Sequence, residues 1–426
     1  MRDIVILAIV LGGVPVAILR PQIGVLLWVW FTYMNPHRFT WGAAYDFPVQ
    51  MTIGGATLVG VGLAFFKGEC NRFPLERETV LLIGLWGFFT LSTIFALDSE
   101  TAWIYWVRTS KILILAVCIL LLVSGRKQFE YLLYTIVFSI GFFGFKGGLF
   151  SLATGFQNRV WGPDGSFLAD ANDIAMCLNI ILPSLFFLSK HSINPKIRYA
   201  LLGTFGLSIL AIIGTYSRGG FVTLMITLLY LVSKSNKKLI LFTGVLVASL
   251  VVVPLLPDKY FKRVESIETA SQEDDSVLQR FNAWWFNWNL AVDRPIVGGG
   301  FEPIRQDIWI RYAPEFHNIP NSAHSIYFQV LGDHGFIAFG MFLGILGGAF
   351  FSCGKIQKQA KRLQEYSWLA DYAIMLRLGI VAFMVAGLFY NRAYVDIFYH
   401  LICLVVLLKV LAREEFAKLN TSVRVI

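Results

Sequence analysis

Charged side chains are scarce in this 426-residue chain: 36 basic and 27 acidic residues make up 15% of it, where a soluble domain carries about 25%. That leaves too little polar surface to enclose a water-soluble globule. Cysteine is sparse as well. Cys70, Cys118, Cys177, Cys353 and Cys403 are widely spaced, with no CxxC pair and no histidine at zinc spacing, so neither a disulfide framework nor a metal site is expected. The chain lacks a GxxxxGK[ST] loop, HExxH, GxSxG and a dinucleotide-binding glycine pattern. Those absences argue against ATP-driven chemistry and nicotinamide redox, and no cofactor is expected. The net charge of +9 sits in short clusters between apolar runs, not on a basic helix with interleaved aromatics, so nucleic acid is not an expected partner.

Apolar sequence is abundant. The chain is 56% hydrophobic with a mean hydropathy of +0.64, and runs such as 47–66, 80–97, 199–217, 239–257 and 335–354 carry no charge. Each meets the roughly 17 to 25 residues needed to cross hydrocarbon. The expected fold is an all-α polytopic membrane protein of about twelve transmembrane helices, one membrane domain over 1–426, with elements near 4–34, 48–66, 79–97, 109–124, 130–152, 171–189, 198–216, 219–233, 239–256, 325–352, 373–390 and 395–411. No small-x-small cleavage site follows Met1-Arg2-Asp3, so the first element is expected to be retained. As one straight helix it would overshoot a bilayer of about 30 Å. Pro15 and Pro21 lie inside it, so it is expected to break into two halves that count as one crossing.

With that count, one side of the membrane holds 20 cations, from Arg2, Lys67 and Arg72 to Lys418 and Arg424. The short connections opposite hold six: Arg38, Arg108, Lys111, Arg159, Arg218 and Arg392. The positive-inside rule then makes both termini cytoplasmic. It also puts the one long connection, a loop at 257–324 between the ninth and tenth helices, on the far side. In that loop Glu273-Asp274-Asp275 precede an aromatic-dense helix that ends near Arg294-Pro295, and Gly298-Gly299-Gly300 marks a tight turn.

A charge at the outer edge of the membrane is costly unless it faces a polar cavity. Arg218, in Tyr216-Ser217-Arg218-Gly219-Gly220, stands between two apolar runs with scarcely any loop. His324, in Ala323-His324-Ser325, lies where the long loop returns to the membrane. An imidazole of pKa near 6.5 can take a proton from a hydroxyl nucleophile, although a lone histidine is more often structural, and His37, His317 and His334 are on or near the same side. Arg280 shares a helical face with Trp284, four residues on. Lys146 and Arg159 approach the outer face from other elements, as do Arg392 and Asp396. Cations converging on one rim suit an anion such as a pyrophosphate. Trp284, Trp285, Trp288 and Trp309 are candidates to stack on sugar rings, or else form an interfacial belt.

Taken in order, Ser217-Arg218-Gly219-Gly220, Arg280 with Trp284, Arg294-Pro295 through Gly298-Gly299-Gly300-Phe301, and Ala323-His324-Ser325 through Gly332-Asp333-His334-Gly335 resemble the O-antigen ligase and polymerase superfamily. The first part, with Arg20-Pro21 and Asn35-Pro36-His37-Arg38, resembles exosortase-associated O-glycosylation ligases. The resemblance implies a glycosyltransferase of the bacterial inner membrane. It would move a preassembled glycan from undecaprenyl pyrophosphate to lipid A-core at the periplasmic face; the mechanism expected for this is a single inverting displacement that needs no metal. By the same resemblance His324 is an essential residue, expected to be the catalytic base, and Arg218 and Arg280 are essential arginines, expected to bind the donor pyrophosphate. From residue type and position alone, Arg159 and Lys146 are expected to add to that cationic site and Trp284 and Trp288 to contact the glycan. Ser325 stands where many members have asparagine. A polymerase or a protein O-oligosaccharide ligase would use the same leaving group, and a transporter of lipid-linked glycan is the rival from another class.

Overall fold

The computed structural model describes residues 1–234, 275–313 and 320–423; the element expected at 239–256, the acidic pair Glu273-Asp274 and His317 lie outside these. The described residues form fourteen α-helices and no strand: α1 Arg2–Leu19, α2 Pro21–Met34, α3 Val49–Phe66, α4 Arg77–Ile94, α5 Ser99–Leu122, α6 Gly125–Ala153, α7 Ala171–His191, α8 Pro195–Gly214, α9 Arg218–Lys234, α10 Asp275–Asp293, α11 Gln306–Tyr312, α12 Ile326–Ala360, α13 Ser367–Ala386 and α14 Asp396–Val423. Eight of them, α1, α3, α5, α6, α7, α8, α12 and α13, are long and apolar enough to cross a membrane. The protein is an all-α polytopic membrane protein. Helices α7 and α13 are hydrophobic all round and buried along most of their length, as central members of a bundle must be. Helices α1 and α8 keep exposed apolar faces, the condition of a helix that touches lipid.

The chain breaks at Arg20, between Leu19 and Pro21, as the prolines lead one to expect, but α1 and α2 are antiparallel and do not share one crossing. Gly13 packs against both Leu27 and Ile53, and Gly60 against the backbone of Ala17 and Ile18. The start of α1 is fastened to the segment before α3: Asp3 Oδ1 accepts from the amides of Gly42 and Ala44 at 3.0 and 3.2 Å, and the Arg2 guanidinium lies 4.7 Å over Trp41. Helix α3 then carries the chain to the opposite end of the bundle. There Lys409 of α14 reaches Glu76 and Glu78 at 3.0 and 2.5 Å, and Arg413 pairs with Glu76. The two termini therefore lie at opposite ends of the bundle, which corrects the expectation that both share the cytoplasmic side. Charge counting missed this because Arg2 and Arg20 trade ends and leave the bias unchanged.

A second correction concerns α5, which begins ten residues before the expected 109, so that Arg108 and Lys111 lie inside the helix and not in a connection.

Helix α12 is interrupted at Gly335, whose φ of 77° and ψ of −176° are open essentially to glycine alone. The returning outer segment docks on this break. Gly299 and Gly300 amides donate to the carbonyls of Gly332 and Asp333 at 2.9 and 2.8 Å, and the Phe336 amide donates to Pro295 at 2.8 Å. Two of the motifs noted in the sequence are thus one backbone-to-backbone joint. Outside it, Ala283, Phe286, Leu290, Ile308, Trp309 and Tyr312 form a small second core that stiffens α10 against α11.

Candidate active site

The Ser217-Arg218-Gly219-Gly220 turn and the Ala323-His324-Ser325 segment meet on one stretch of chain, the end of α13 and the residues just beyond it. On one flank Ser217 Oγ lies 2.7 Å from Tyr390 Oη and donates to Asn172 Oδ1 at 2.7 Å, while accepting from the Gly220 amide at 3.1 Å. A Cβ on Gly219 would press into Phe389 and the Tyr390 hydroxyl, so glycine is what lets α9 come this close. On the other flank the Ile326 amide donates to the Gly387 carbonyl at 2.8 Å, and Tyr327 Oη to Met384 O at 2.8 Å.

Arg218 opens α9 and is half-buried, two residues after Tyr216, which holds a left-handed φ of 54°. His324 is half-buried too and is likewise left-handed, with φ 45°. A non-glycine residue in that region is strained, and such strain gathers at functional sites. The His324 pKa is held below its ordinary value, first by burial and then by the positive charges of Arg280 and Arg392, with Asp170 opposing. The imidazole is therefore kept neutral, in the form that accepts a proton. Arg280 acts on Tyr390 as well as on His324, which puts it in the same electrostatic neighbourhood as the Ser217 turn.

Of the other expected residues, Arg159 is drawn to the base of the turn: its Nε donates to Thr215 O at 2.7 Å and its guanidinium lies 4.6 Å over Trp161. Lys146 is exposed on α6 and lies 5.5 Å over Phe39, and no described contact joins it to His324 or Arg280. Trp284 Nε1 donates to Ala323 O at 2.8 Å, beside the imidazole, and stacks on Phe328 at 5.0 Å. Trp288 is exposed and meets Phe336 edge-on. With Phe281 and Trp285 these rings line an apolar groove of about 300 Å³ alongside the site. Trp309 is not part of it: it is buried against Phe286 at 4.8 Å in the second core.

The histidines sort by environment. His334 is fully buried, 2.5 Å from Ser92 Oγ and enclosed by Phe89, Phe301 and Tyr394, a structural residue at the α12 break. His37 is buried in the turn after α2. His324 alone among the described histidines combines partial exposure with two neighbouring cations.

Several polar residues at the site carry no sequence motif. Arg392 grips the buried Asp173 of α7 through two bonds of 2.5 and 2.6 Å. Glu302 accepts from Gln329 and Asn391 at 3.1 and 3.2 Å, and burial raises its pKa despite the nearby Arg392. These partners lie far apart in the chain, and only the left-handed φ of 47° at Glu302, next to three glycines, has a local counterpart.

Residues 203–343 match a family described as O-antigen ligase, a span that contains Arg218, Arg280, Trp284, the glycine turn and His324. Residues 1–193 match a family of unknown function (DUF5935). No curated protein matches the chain. The O-antigen ligase domain supports a ligase- or polymerase-type role in O-antigen or glycan assembly for this multi-pass membrane protein, and the family implies in general a lipid-linked glycan and a membrane-associated acceptor. Residues 203–343 thus carry a domain similar to the O-antigen ligase family, in agreement with the resemblance read from the motifs.

Proposed function

We propose that the protein transfers a preassembled glycan from undecaprenyl pyrophosphate to a hydroxyl of lipid A-core at the periplasmic face of the inner membrane. The observation that carries this reading is the docking of the Arg218 turn and the His324 segment on one short stretch, the first at Tyr390 and the second at Gly387. Neutral His324 takes the proton of the acceptor hydroxyl, and the acceptor oxygen bonds to the anomeric carbon. The bond from that carbon to the pyrophosphate oxygen breaks, and its electron pair leaves on the lipid, with inversion at carbon. Arg218 and Arg280 face the charge that grows on the leaving group, so they lower the transition state more than the ground state. The amino end of α9, just behind Arg218, adds a favourable dipole for the same anion. Trp284 and Trp288 offer ring faces to the glycan.

The test is reconstitution of the purified protein with undecaprenyl-pyrophosphate glycan and lipid A-core, without nucleotide or divalent metal. Glycosylated lipid A-core is expected. Extension of a second lipid-linked glycan, with lipid A-core untouched, would replace the ligase by a polymerase.

A further inference from the structure

A cleft of about 920 Å³ opens sideways between α2, α3 and α5, within the part of the chain outside the ligase-matched span. Its wall is mostly apolar, with Thr32, Asn35, Gln50, Ser166 and Asp396 among its polar members. Arg108 and Lys111 of α5 project into it, three residues apart and so on one face of the helix. Both are exposed, and neither makes a hydrogen bond or ion pair among the described residues; Asp396, an acid in the same wall, pairs with neither. Trp103, also on the wall, stands one turn inside the start of α5 and is of the residue type that marks membrane surfaces; the two cations lie about 7.5 and 12 Å further along the helix axis. Cations at that depth are costly without a counter-charge. Arg108 acts at a distance on Asp396, Asp173 and Glu302, but no described carboxylate pairs directly with Arg108 or Lys111, and a lipid phosphate would supply that direct partner. Side chains lean toward the start of their helix, so both reach up toward headgroup level.

We infer that this cleft binds a membrane lipid through its phosphate, with Arg108 and Lys111 on the phosphate and the hydrocarbon chain lying against the α3 and α5 walls. The site is separate from the Arg218 turn and stands whether or not His324 transfers a glycan. Arg108 is close enough to Glu302 and Asp173 to act on their charge, so the headgroup lies toward the cluster that holds Arg392. Two lipid chemistries share the phosphate: a polyprenyl phosphate and an anionic phospholipid.

Gly55 supplies a clean means of blocking the cleft. It lines the wall, and a side chain there would meet nothing within 4 Å. The full-length protein in neutral detergent is titrated by native mass spectrometry with undecaprenyl phosphate and with phosphatidylglycerol, and with undecaprenol and diacylglycerol as their uncharged counterparts. One of the phosphate lipids is expected to bind and its counterpart not. Arg108→Gln with Lys111→Gln, and Gly55→Leu independently, should weaken binding roughly tenfold or more, while His324→Gly leaves it unchanged. Loss of undecaprenyl phosphate alone identifies a substrate-type lipid, and loss of phosphatidylglycerol alone a bilayer lipid. Unchanged affinity for both in Gly55→Leu overturns the site and leaves the two cations as interfacial anchors. Should the double charge variant fail to fold, Gly55→Leu still decides between these outcomes.

Discussion

Ser217 Oγ and Tyr390 Oη stand 2.7 Å apart, joining the turn that carries Arg218 to the chain just past α13, 173 residues away. Ser217 keeps two other bonds, to Asn172 and Gly220, so Tyr390 is one of three points that fix the turn. Tyr390→Phe removes that bond and little volume. A buried hydrogen bond is worth about 0.5–1.5 kcal/mol. Transfer should slow by about two- to tenfold, measured as kcat with purified substrates, while the helical content is preserved. An unaltered rate would mean that the turn's remaining bonds, to Asn172 and Arg159 among others, position it without Tyr390.

His324 holds a left-handed φ of 45°, a conformation that costs a non-glycine residue about 1–2 kcal/mol. His324→Gly therefore removes the imidazole and relieves the backbone together. The variant should melt at the same or a higher temperature than the parent and lose transfer by about 10²–10⁴-fold, the range of a general base. Retained transfer at wild-type melting temperature would exclude His324 as the base.

The acid limb of activity reports the same group. Burial and the charges of Arg280 and Arg392 disfavour the imidazolium, so the neutral base persists to lower pH than an ordinary histidine allows. The rate should fall only as pH drops below the ordinary value near 6.5. Arg280→Gln removes one of the repelling charges, which raises the His324 pKa, and the acid limb should move upward. A limb that stays in place while the rate drops would detach Arg280 from the imidazole.

Arg218 tests geometry against charge. A lysine keeps the charge but loses the planar fork that grips two phosphate oxygens. Arg218→Ala should cost about 10²–10³ in rate, and Arg218→Lys should recover only part of it. Full activity in the alanine variant would remove Arg218 from the site.

The sequence can single out the candidate residues of the proposed site because their signals are local: Arg218 before two glycines and between apolar runs, His324 at a membrane re-entry, Arg280 one helical turn before Trp284. The helices were legible for the same reason, since length and hydropathy are properties of contiguous residues. The direction of α2 was not, because Pro21 reports a break and says nothing of the angle after it. The Asp173–Arg392 pair, 219 residues apart, and the grip of Gln329 and Asn391 on Glu302 have no local pattern at all. Trp309 shows the limit of residue type as evidence: the same indole that stacks on sugars fills a small core when Phe286 stands 4.8 Å away.

The joint between the outer segment and α12 rests on Gly335. Its φ and ψ lie in a region that costs other residues about 1–3 kcal/mol. A methyl group there would also sit 2.5 Å from the Pro295 carbonyl oxygen and 2.9 Å from the carbonyl carbon of Ile296. Neither can retreat easily, since Phe336 bonds to Pro295 and Gly299 and Gly300 bond to the residues before the break. Gly335→Ala should therefore lower the melting temperature and reduce transfer together, because Trp284 and Arg280 ride on the helix that this joint anchors. Gly340, five residues on in the same helix, has open space around it, so Gly340→Ala should be neutral or slightly stabilising. Equal melting temperatures for the two variants would show that α12 can straighten without loss, and the outer segment would then need another anchor.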